Sequence, residues 1–481
     1  MGKQLSSISF VKQFAQVGIG TVVTLLIGLL TTPIITRLVD PETYGQFSLF
    51  NTYSSIAMIV LCVGLDQALV RYYYKGTSLD YRKGIFRECF FMPFLNTLGF
   101  SIVLIVLTLL FDSADEFGFL QPVIVGLFVL NVWMLLFNRF GLLVLRLNYR
   151  TGAYSVLTVL HKASYIIFVL VLIAVFQSHF LILMITATIL SVLITVICSM
   201  IMERRVWFGK AKKRVPVSRK EIVLFGAPLM ISGSVFLIFQ ATDKIVLSMF
   251  CDMTNVGVYS SAQSIMAVFS VIQTTFNTVW APRAVEHSEK HPSDRLFYQR
   301  MNQMLTVVML LFGATVLVFK DVIVLLLGEE YRAAAYIIPF LMLSPMMYTV
   351  SESTVTGLTF TGKTQYQMVA TVLSCIANII GNVILIPMLG PTGAAVSTGF
   401  SYVLFFALRT CFANRFFYVD FKLKKFAIVM VLFLAFASYN TLNPVNWADL
   451  VLYFIFISVC SFVYRNALTD VRNVIKKQLG R

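Results

Sequence analysis

Five ionisable side chains lie within or at the end of long apolar stretches of the chain, where a charge is costly. They are Asp66, Lys162, Asp243, Lys244 and Glu352. A charge at the centre of a bilayer costs roughly 2.5–3.5 kcal/mol on insertion scales, so such side chains usually face a cavity or a partner. The three carboxylates could bind a coupling proton or cation, and the two lysines could bind an anionic group. The alternative for each is a structural ion pair.

Four apolar stretches carry polar side chains at intervals of three or four residues, which places each set on one face of a helix. The sets are Tyr154, Thr158, His161, Lys162 and Tyr165; Tyr259, Gln263, Ser270, Thr274 and Asn277; Ser344, Tyr348, Glu352, Thr356 and Thr359; and Gln367, Thr371, Ser374, Asn378 and Asn382. One interpretation is hydrogen bonding between helices, worth about 0.6–2 kcal/mol per contact. Because four such faces occur, we expect a polar cavity, with Lys162 as its strongest single candidate.

Two arginines end apolar stretches at corresponding places in the two halves of the chain, Arg71 and Arg283. They could be anchors whose head groups extend to the membrane surface. They could instead form a paired cationic gate for an anionic group entering from the cytoplasm. Arg71 could also pair with Asp66, just as Asp243 could pair with a lysine of another helix.

These residues belong to a chain with fourteen apolar segments. The segments are 12–36, 44–68, 86–111, 120–144, 154–175, 180–202, 221–250, 257–282, 301–319, 334–358, 366–388, 392–414, 424–439 and 447–464. Most are close to the roughly 20 residues that a spanning helix needs, and a backbone in lipid must satisfy its own hydrogen bonds. Hydrophobic residues make up 58% of the chain and the mean hydropathy is +0.84, so we predict an all-α, polytopic membrane protein.

The basic residues predict the orientation of the chain in the membrane. Of 38 Lys and Arg residues, the outer gaps contain Arg37, Lys320 and Arg332. Nearly all the other basic residues lie in the remaining, alternate gaps or in the terminal segments. Basic residues near the end of an apolar segment are counted here with the adjoining gap. The positive-inside rule therefore predicts that both termini are cytoplasmic. The net charge of +16 follows from this bias and does not indicate nucleic-acid binding, because it is divided among loops.

The two halves of the chain match at a nearly constant offset. A shift of 212 residues pairs Asp40 with Asp252 and Gly45 with Gly257. Further matches are Arg71 with Arg283 at that shift, and Tyr154 with Gln367 and Tyr165 with Asn378 at a shift of 213. An even number of helices per repeat gives the halves the same topology, as in transporters built from parallel repeats. We therefore expect a cavity between two similar lobes.

This repeat predicts the domain organisation of the whole chain. We expect an N-terminal six-helix lobe (1–203), a basic cytoplasmic linker (204–220), a C-terminal six-helix lobe (221–415), two further helices (416–464) and a cytoplasmic tail (465–481). The tail has an apolar face and a basic face, which favours a helix lying on anionic lipid over one that binds a protein partner.

One motif is a misleading match. Residues 357–364 read Gly-Leu-Thr-Phe-Thr-Gly-Lys-Thr and fit the P-loop pattern letter for letter. A P-loop needs a preceding strand within an α/β sheet, whereas apolar helical segments flank this stretch on both sides. We therefore expect a cytoplasmic turn and no bound nucleotide. The seven cysteines have neither metal-ligand spacing nor a disulfide framework, so we expect no metal and no cofactor.

Several short motifs resemble those of one transporter family. They are Arg37-Leu-Val-Asp-Pro-Glu-Thr-Tyr-Gly-Gln-Phe-Ser48, Asp66-Gln-Ala-Leu-Val-Arg71, Phe225-Gly-Ala-Pro228, Asp243-Lys-Ile-Val-Leu-Ser248, Val256-Gly-Val-Tyr-Ser260 and Thr361-Gly-Lys-Thr364. With these motifs and its fourteen segments, the chain resembles the Wzx-type polysaccharide-repeat flippases over essentially its whole length. These form the oligosaccharide flippase family, whose superfamily also contains multidrug-and-toxin exporters and lipid II flippases.

The resemblance implies a flippase, not an enzyme, in a bacterial cytoplasmic membrane. Its implied substrate is an undecaprenyl-diphosphate-linked repeat unit of O-antigen, capsule or a similar polysaccharide, moved to the outer leaflet by alternating access. Membrane lipids, a polysaccharide polymerase and chain-length machinery are the other implied partners. The substrate-binding candidates are Lys162, His161, Lys244, Arg71, Arg283, Tyr154, Gln263 and Asn378, and the ion-coupling candidates are Glu352, Asp243 and Asp66.

Two other functions remain open from the sequence. A multidrug exporter would use an acidic coupling site, for which Asp66, Asp243 and Glu352 qualify. A membrane polymerase would usually need a substantial external loop, whereas the outer gaps here are short. A peptidoglycan-precursor flippase is less favoured, because that family carries arginines in its first helix and this chain has no charge between Lys12 and Arg37. No ATPase module is evident, so protons, sodium, the membrane potential or consumption of the product would supply the energy.

Overall fold

A computed structural model of the chain describes residues 18, 20, 21, 23–110, 122–209 and 217–469. The start of the first apolar segment, residues 210–216 of the basic linker and most of the amphipathic tail lie outside the described residues. Across the described ranges, all regular secondary structure is helical. This confirms the prediction of an all-α, multi-pass membrane protein.

The helices are numbered α1 to α20 in chain order. They are α1 Val23–Thr36, α2 Pro41–Cys62, α3 Leu65–Tyr72, α4 Leu79–Leu110, α5 Pro122–Leu147, α6 Thr151–Phe176, α7 Phe180–Met202, α8 Arg204–Trp207, α9 Arg219–Phe250, α10 Met253–Met266, α11 Ser270–Lys290, α12 Arg295–Val318, α13 Lys320–Val324, α14 Ile338–Leu341, α15 Leu343–Thr354, α16 Thr356–Phe360, α17 Gln365–Leu389, α18 Pro391–Phe416, α19 Leu423–Leu442 and α20 Trp447–Val463. Short 3-10 helices cover Ala267–Phe269 and Glu329–Tyr336.

The number of membrane spans was tested by helix length and composition within the described residues. Ten helices in the described part are long and apolar enough to cross a membrane, or up to twelve if each of two bent pairs is one span. The bent pairs are α2 with α3, at 52°, and Glu329–Tyr336 with Ile338–Thr354, at 57°. Val23–Thr36 and Trp447–Val463 are apolar but shorter. Every predicted segment contains a helix, but a count of fourteen spans is not confirmed.

The chain divides into two compact units. Unit 1 contains Met1–Thr31 and Gln46–Leu237, and unit 2 contains Thr32–Gly45 and Ile238–Arg481. In unit 1, α6 packs on α7 and α7 on α5. In unit 2, α17 packs on α18, α18 on α15, and α19 on α20. Helix α9 runs through the boundary, and its second half, which carries Asp243, belongs to unit 2.

The sequence repeat has a direct structural counterpart in unit 2. Asp40 and Asp252 each cap a helix, because each carboxylate accepts a backbone N–H three residues later at 2.9 Å. Five residues beyond each cap lies a glycine, and the two helices meet there. A Cβ on Gly45 would lie 2.1 Å from the Met253 carbonyl oxygen, and one on Gly257 would lie 1.8 Å from that of Pro41. The contact is reciprocal, as local twofold symmetry requires.

The P-loop-like stretch forms a turn between two helices. It runs from α16 into α17, and Gly362 has a φ of +67°, a value that favours glycine. Gly357 lies within α16, where a Cβ would come within 2.9 Å of the Phe417 side chain. Backbone conformation and packing therefore account for both glycines without a nucleotide.

Candidate functional site

The most complete polar site in the described residues is built around Asp243 on α9. Its side chain is 2% exposed, and four neutral groups donate hydrogen bonds to it. The Asn378 and Asn382 amides donate to Oδ1 at 3.2 and 2.8 Å. The Tyr259 and Thr398 hydroxyls donate to Oδ2, the latter at 2.8 Å. A carboxylate buried among neutral donors can stay charged without a cationic side chain.

The polar stripe on α17 positions two of these donors. Asn378 and Asn382 are four residues apart and share one helix face, which confirms the side-chain direction inferred from their spacing. Helix α18 approaches closely at Gly381, where a Cβ would lie 2.4 Å from the Ser397 hydroxyl. That approach lets Asn378 donate to Thr398 at 3.1 Å and accept a bond at its backbone carbonyl from Ser397 at 3.0 Å. Close helix packing thus fixes the geometry around Asp243.

One amide that bonds to the carboxylate has an oxygen with no partner among the described residues. Asn382 Oδ1 is buried without a hydrogen bond among the described residues. A buried carboxylate with a neighbouring amide oxygen presents the hard oxygen ligands that alkali and alkaline-earth cations prefer, and the carboxylate alone can bind a proton. Within the described ranges, no three His, Cys, Asp or Glu side chains are grouped to hold a metal ion. The arrangement therefore suits a proton or a monovalent cation.

The structural pairing considered for Asp243 is wrong for the described residues, because no lysine forms an ion pair with it there. Lys244 follows it in sequence but points about 100° away around the helix. It is partly buried and makes no hydrogen bond to a described residue.

Glu352 lies in a buried ion pair that the sequence did not reveal. Arg409 Nη1 on α18 lies 2.8 Å from Glu352 Oε1, and the side chains are 6% and 15% exposed. The same nitrogen donates to Ser351 at 2.6 Å, and the guanidinium lies 4.9 Å from the Phe405 ring centre. The positive-inside rule predicts a loop position for Arg409, whereas α18 continues to Phe416. The apolar run 403–408 directly before Arg409 was the available signal.

Asp66 is also paired, but not with the expected residue. Arg139 on α5 donates to Asp66 Oδ2 from Nε at 3.0 Å and from Nη2 at 2.6 Å. The pairing of Asp66 with Arg71 is therefore wrong. Arg71 instead stacks over the Phe225 ring, 4.2 Å from its centre. As with Arg409, the charge count had placed Arg139 in a loop, whereas it lies inside α5.

The polar stripe on α6 has a different character from the one on α17. Lys162 is exposed, while His161 and Tyr154 are partly buried. Lys162 makes no hydrogen bond and no ion pair with any residue that the structure describes. On a helix with the hydropathy of a membrane span, an uncompensated ammonium needs a water-filled space or an anionic ligand. This leaves Lys162 as a candidate for binding an anionic group.

The remaining candidates belong to two different units of the chain. Arg283 is exposed near the end of α11, and Gln263 is partly buried on α10. Asn378 lies in the Asp243 cluster. These three lie in unit 2, while Lys162, His161, Tyr154 and Arg71 belong to unit 1. A cavity shared by all of them remains a prediction.

Known proteins resemble this chain in both sequence and fold. A family model described as polysaccharide biosynthesis protein matches residues 10–288. An uncharacterized membrane protein of Methanocaldococcus jannaschii, MJ1068, is 25% identical over 414 residues, 80% of each chain. A probable low-salt glycan biosynthesis flippase of Haloferax volcanii, Agl15, is 26% identical over 185 residues, 37% of this chain and 39% of its own.

Two solved transporters have a similar fold. The lipid II flippase MurJ, in an inward closed conformation, matches with a TM-score of 0.69 and 12% identity, covering 97% of this chain and 99% of its own. An inward-facing multidrug resistance MATE family transporter of the MOP superfamily matches with a TM-score of 0.58 and 15% identity, covering 82% and 94%. The chain therefore has the fold of these transporters, and it belongs to the polysaccharide biosynthesis protein family.

Proposed function

We propose that this protein is a flippase for lipid-linked oligosaccharides. The observation that carries the proposal is the family match over residues 10–288, on a chain whose fold is shared with a lipid II flippase over nearly its whole length. The specific substrate that we propose is an undecaprenyl-diphosphate-linked repeat unit. It would move from the cytoplasmic to the outer leaflet of a bacterial membrane, with both protein termini in the cytoplasm.

The chemistry of such a substrate explains why a protein is needed. Each sugar hydroxyl costs about 4–8 kcal/mol to transfer unpaired from water into hydrocarbon, and the diphosphate adds two or more charges. Lys162 is exposed and has no ion pair among the described residues, which supports a role in binding the diphosphate, because an ammonium forms strong charge-assisted bonds with phosphate oxygens. The lipid tail can remain in the bilayer while the head group crosses.

We further propose that Asp243 couples transport to a proton or a monovalent cation. Its four donors are neutral, so a bound cation would not compete with an arginine. Asp66 and Glu352 are weaker candidates, because each already pairs with an arginine, Arg139 or Arg409, which a bound cation would have to displace.

The test compares a deletion strain carrying wild type, Lys162→Ala or Lys162→Arg. We expect the deletion to accumulate lipid-linked oligosaccharide in the inner leaflet and to lose surface polysaccharide, with wild type restoring both. Lys162→Ala should fail to rescue at normal protein level, while Lys162→Arg, which keeps the charge, should rescue at least in part. A deletion strain with normal surface polysaccharide and no accumulated intermediate would contradict the flippase proposal.

A cation-coupled multidrug exporter is the second candidate. The fold similarity to a MATE transporter and the buried Asp243 cluster favour it. Such a protein would lower intracellular drug levels, and a drug-accumulation assay with the same strains separates the two functions. A polymerase is less favoured, because the outer gaps predicted from the sequence are short.

A further inference from the structure

A polar crevice lies in unit 2 where α1 ends, away from the Asp243 cluster. It has a volume of about 530 Å³ and lies between the 37–40 loop and residues 325–332. Its size is within the roughly 300–1,000 Å³ of small-molecule sites. Two of the three basic residues predicted outside, Arg37 and Arg332, line it, and the third, Lys320, is fully buried nearby in sequence.

The walls of the crevice are fixed to each other. The Gly328 N–H donates to the Thr36 hydroxyl at 3.2 Å, and a Cβ on Gly328 would lie 2.0 Å from the Thr36 carbonyl oxygen. The buried Tyr331 hydroxyl donates to the Val39 carbonyl oxygen at 2.8 Å. Because a preformed site spends little binding energy on ordering loops, the crevice is suited to bind a ligand as it stands.

Most of the charges in the crevice are already satisfied. Arg332 pairs with Glu329 at 3.0 Å, and Asp40 accepts two bonds from Thr43, both at 2.9 Å. Two charged groups retain binding capacity. Arg37 makes one bond, to the Leu325 carbonyl oxygen at 3.4 Å, and has five N–H donors. Glu330 takes part in no hydrogen bond or ion pair with a described residue.

The available groups select the chemistry of the ligand. A phosphate would meet a surplus of carboxylates, and a metal cation would meet Arg37 with no grouped set of ligands among the described residues. Sugar hydroxyls suit both groups, because a hydroxyl can accept from Arg37 and can donate to Glu330. The exposed Leu38 and Leu325 offer apolar surface to the C–H faces of a sugar ring.

We propose that this crevice is a carbohydrate-binding site on the outer face, which holds the sugars of the substrate as they leave the protein. The proposal rests on the proposed flippase function and on the orientation predicted by the positive charges. It assigns to Arg37 and Glu330 the recognition of uncharged sugar hydroxyls, separate from any recognition of the diphosphate by Lys162.

A cysteine-protection experiment tests this site directly. Leu38→Cys places a reporter on the crevice wall. Val322→Cys is the control, because it is also exposed, on α13, but does not line the crevice. The purified variants in nanodiscs are labelled with a hydrophilic maleimide, and the unsubstituted protein gives the background from the seven native cysteines. The probe is the free oligosaccharide released by mild acid from the cell's own lipid-linked pool.

We expect the oligosaccharide to slow labelling of Leu38→Cys saturably and to leave Val322→Cys unchanged. Adding Glu330→Gln or Arg37→Gln should raise the half-protecting concentration about tenfold, because each removes hydrogen bonds to a charged group. The proposal is overturned if the oligosaccharide slows the labelling of both reporters equally or of neither. It is also overturned if inorganic pyrophosphate protects Leu38→Cys and the oligosaccharide does not. If deletion of the gene leaves the lipid-linked pool unchanged, the flippase proposal fails. If the protein is a flippase but the oligosaccharide does not protect Leu38→Cys, only the crevice site is refuted.

Discussion

The hydrogen bonds around Asp243 predict opposite effects for two substitutions. Its Oδ1 faces two amide N–H donors, whereas its Oδ2 faces two hydroxyls, which can accept as well as donate. In Asp243→Asn, the retained oxygen can accept from Asn378 and Asn382, and the new amide can donate to Tyr259 and Thr398. We therefore expect this variant to fold with nearly unchanged stability but to lose the charge that binds the coupling ion.

Asp243→Ala should behave differently, because it leaves one N–H of each amide buried without an acceptor, while the other N–H keeps its bond to Thr398 or Asn378. Each stranded donor costs about 1–3 kcal/mol, so we expect a loss of about 2–6 kcal/mol in the free energy of unfolding. The two hydroxyls add less, since they can rotate toward nearby carbonyl oxygens. The pair of substitutions thus separates the structural contribution of Asp243 from its charge.

Two measurements check this prediction. Thermal unfolding of the purified variants in detergent should give a clear decrease for Asp243→Ala and little change for Asp243→Asn. Lipid-linked oligosaccharide accumulation in cells should show loss of transport for both, at normal protein level for Asp243→Asn. If Asp243→Asn transports at the wild-type rate across pH values and sodium gradients, Asp243 does not couple transport. If it unfolds as early as Asp243→Ala, the assignment of donors and acceptors is wrong.

The other predictions concern packing and the buried ion pair. Glu352→Leu leaves the buried Arg409 charge without its partner and should cost about 3–5 kcal/mol of stability. In the same thermal assay, the double variant Glu352→Leu/Arg409→Leu should recover part of that loss. Additive losses would mean that the two side chains do not interact. Gly257→Ala should lower the folded yield in size-exclusion chromatography, because its Cβ would lie 1.8 Å from a backbone oxygen of the facing helix. Gly233→Ala is the control and should leave the yield unchanged, because its Cβ would have nothing within 4 Å. Equal yields would contradict the close helix crossing.

Much of the fold was predictable because its signals are local. Segment length and hydropathy located helices, and a spacing of four residues placed Asn378 and Asn382 on one face. The constant offset between Gly45 and Gly257 also had a physical basis, since both glycines permit the same close contact from opposite sides. The number of spans was less predictable, because a bend such as that between α2 and α3 does not change composition.

The partners of buried charges were not predictable, because they depend on which helices pack together. Arg139 and Arg409 lie near the ends of apolar segments, where the sequence alone does not show whether a side chain reaches water. In the structure, Arg139 pairs with Asp66 and Arg409 pairs with Glu352, each across two helices. A carboxylate inside an apolar segment stands out from the sequence. An arginine near the end of a segment cannot be distinguished there from a loop residue.

The different surroundings of the three buried carboxylates indicate which of them can respond to an ion gradient. Asp66 and Glu352 each pair with an arginine, which a bound cation would have to displace. Asp243 is held by neutral donors among the described residues. Its donors come from α10, α17 and α18, while the carboxylate belongs to α9, so a shift of α9 by even one ångström would lengthen several of these bonds at once. We therefore expect the affinity of Asp243 for a proton or cation to depend on the position of α9, which is the property that a coupling residue requires.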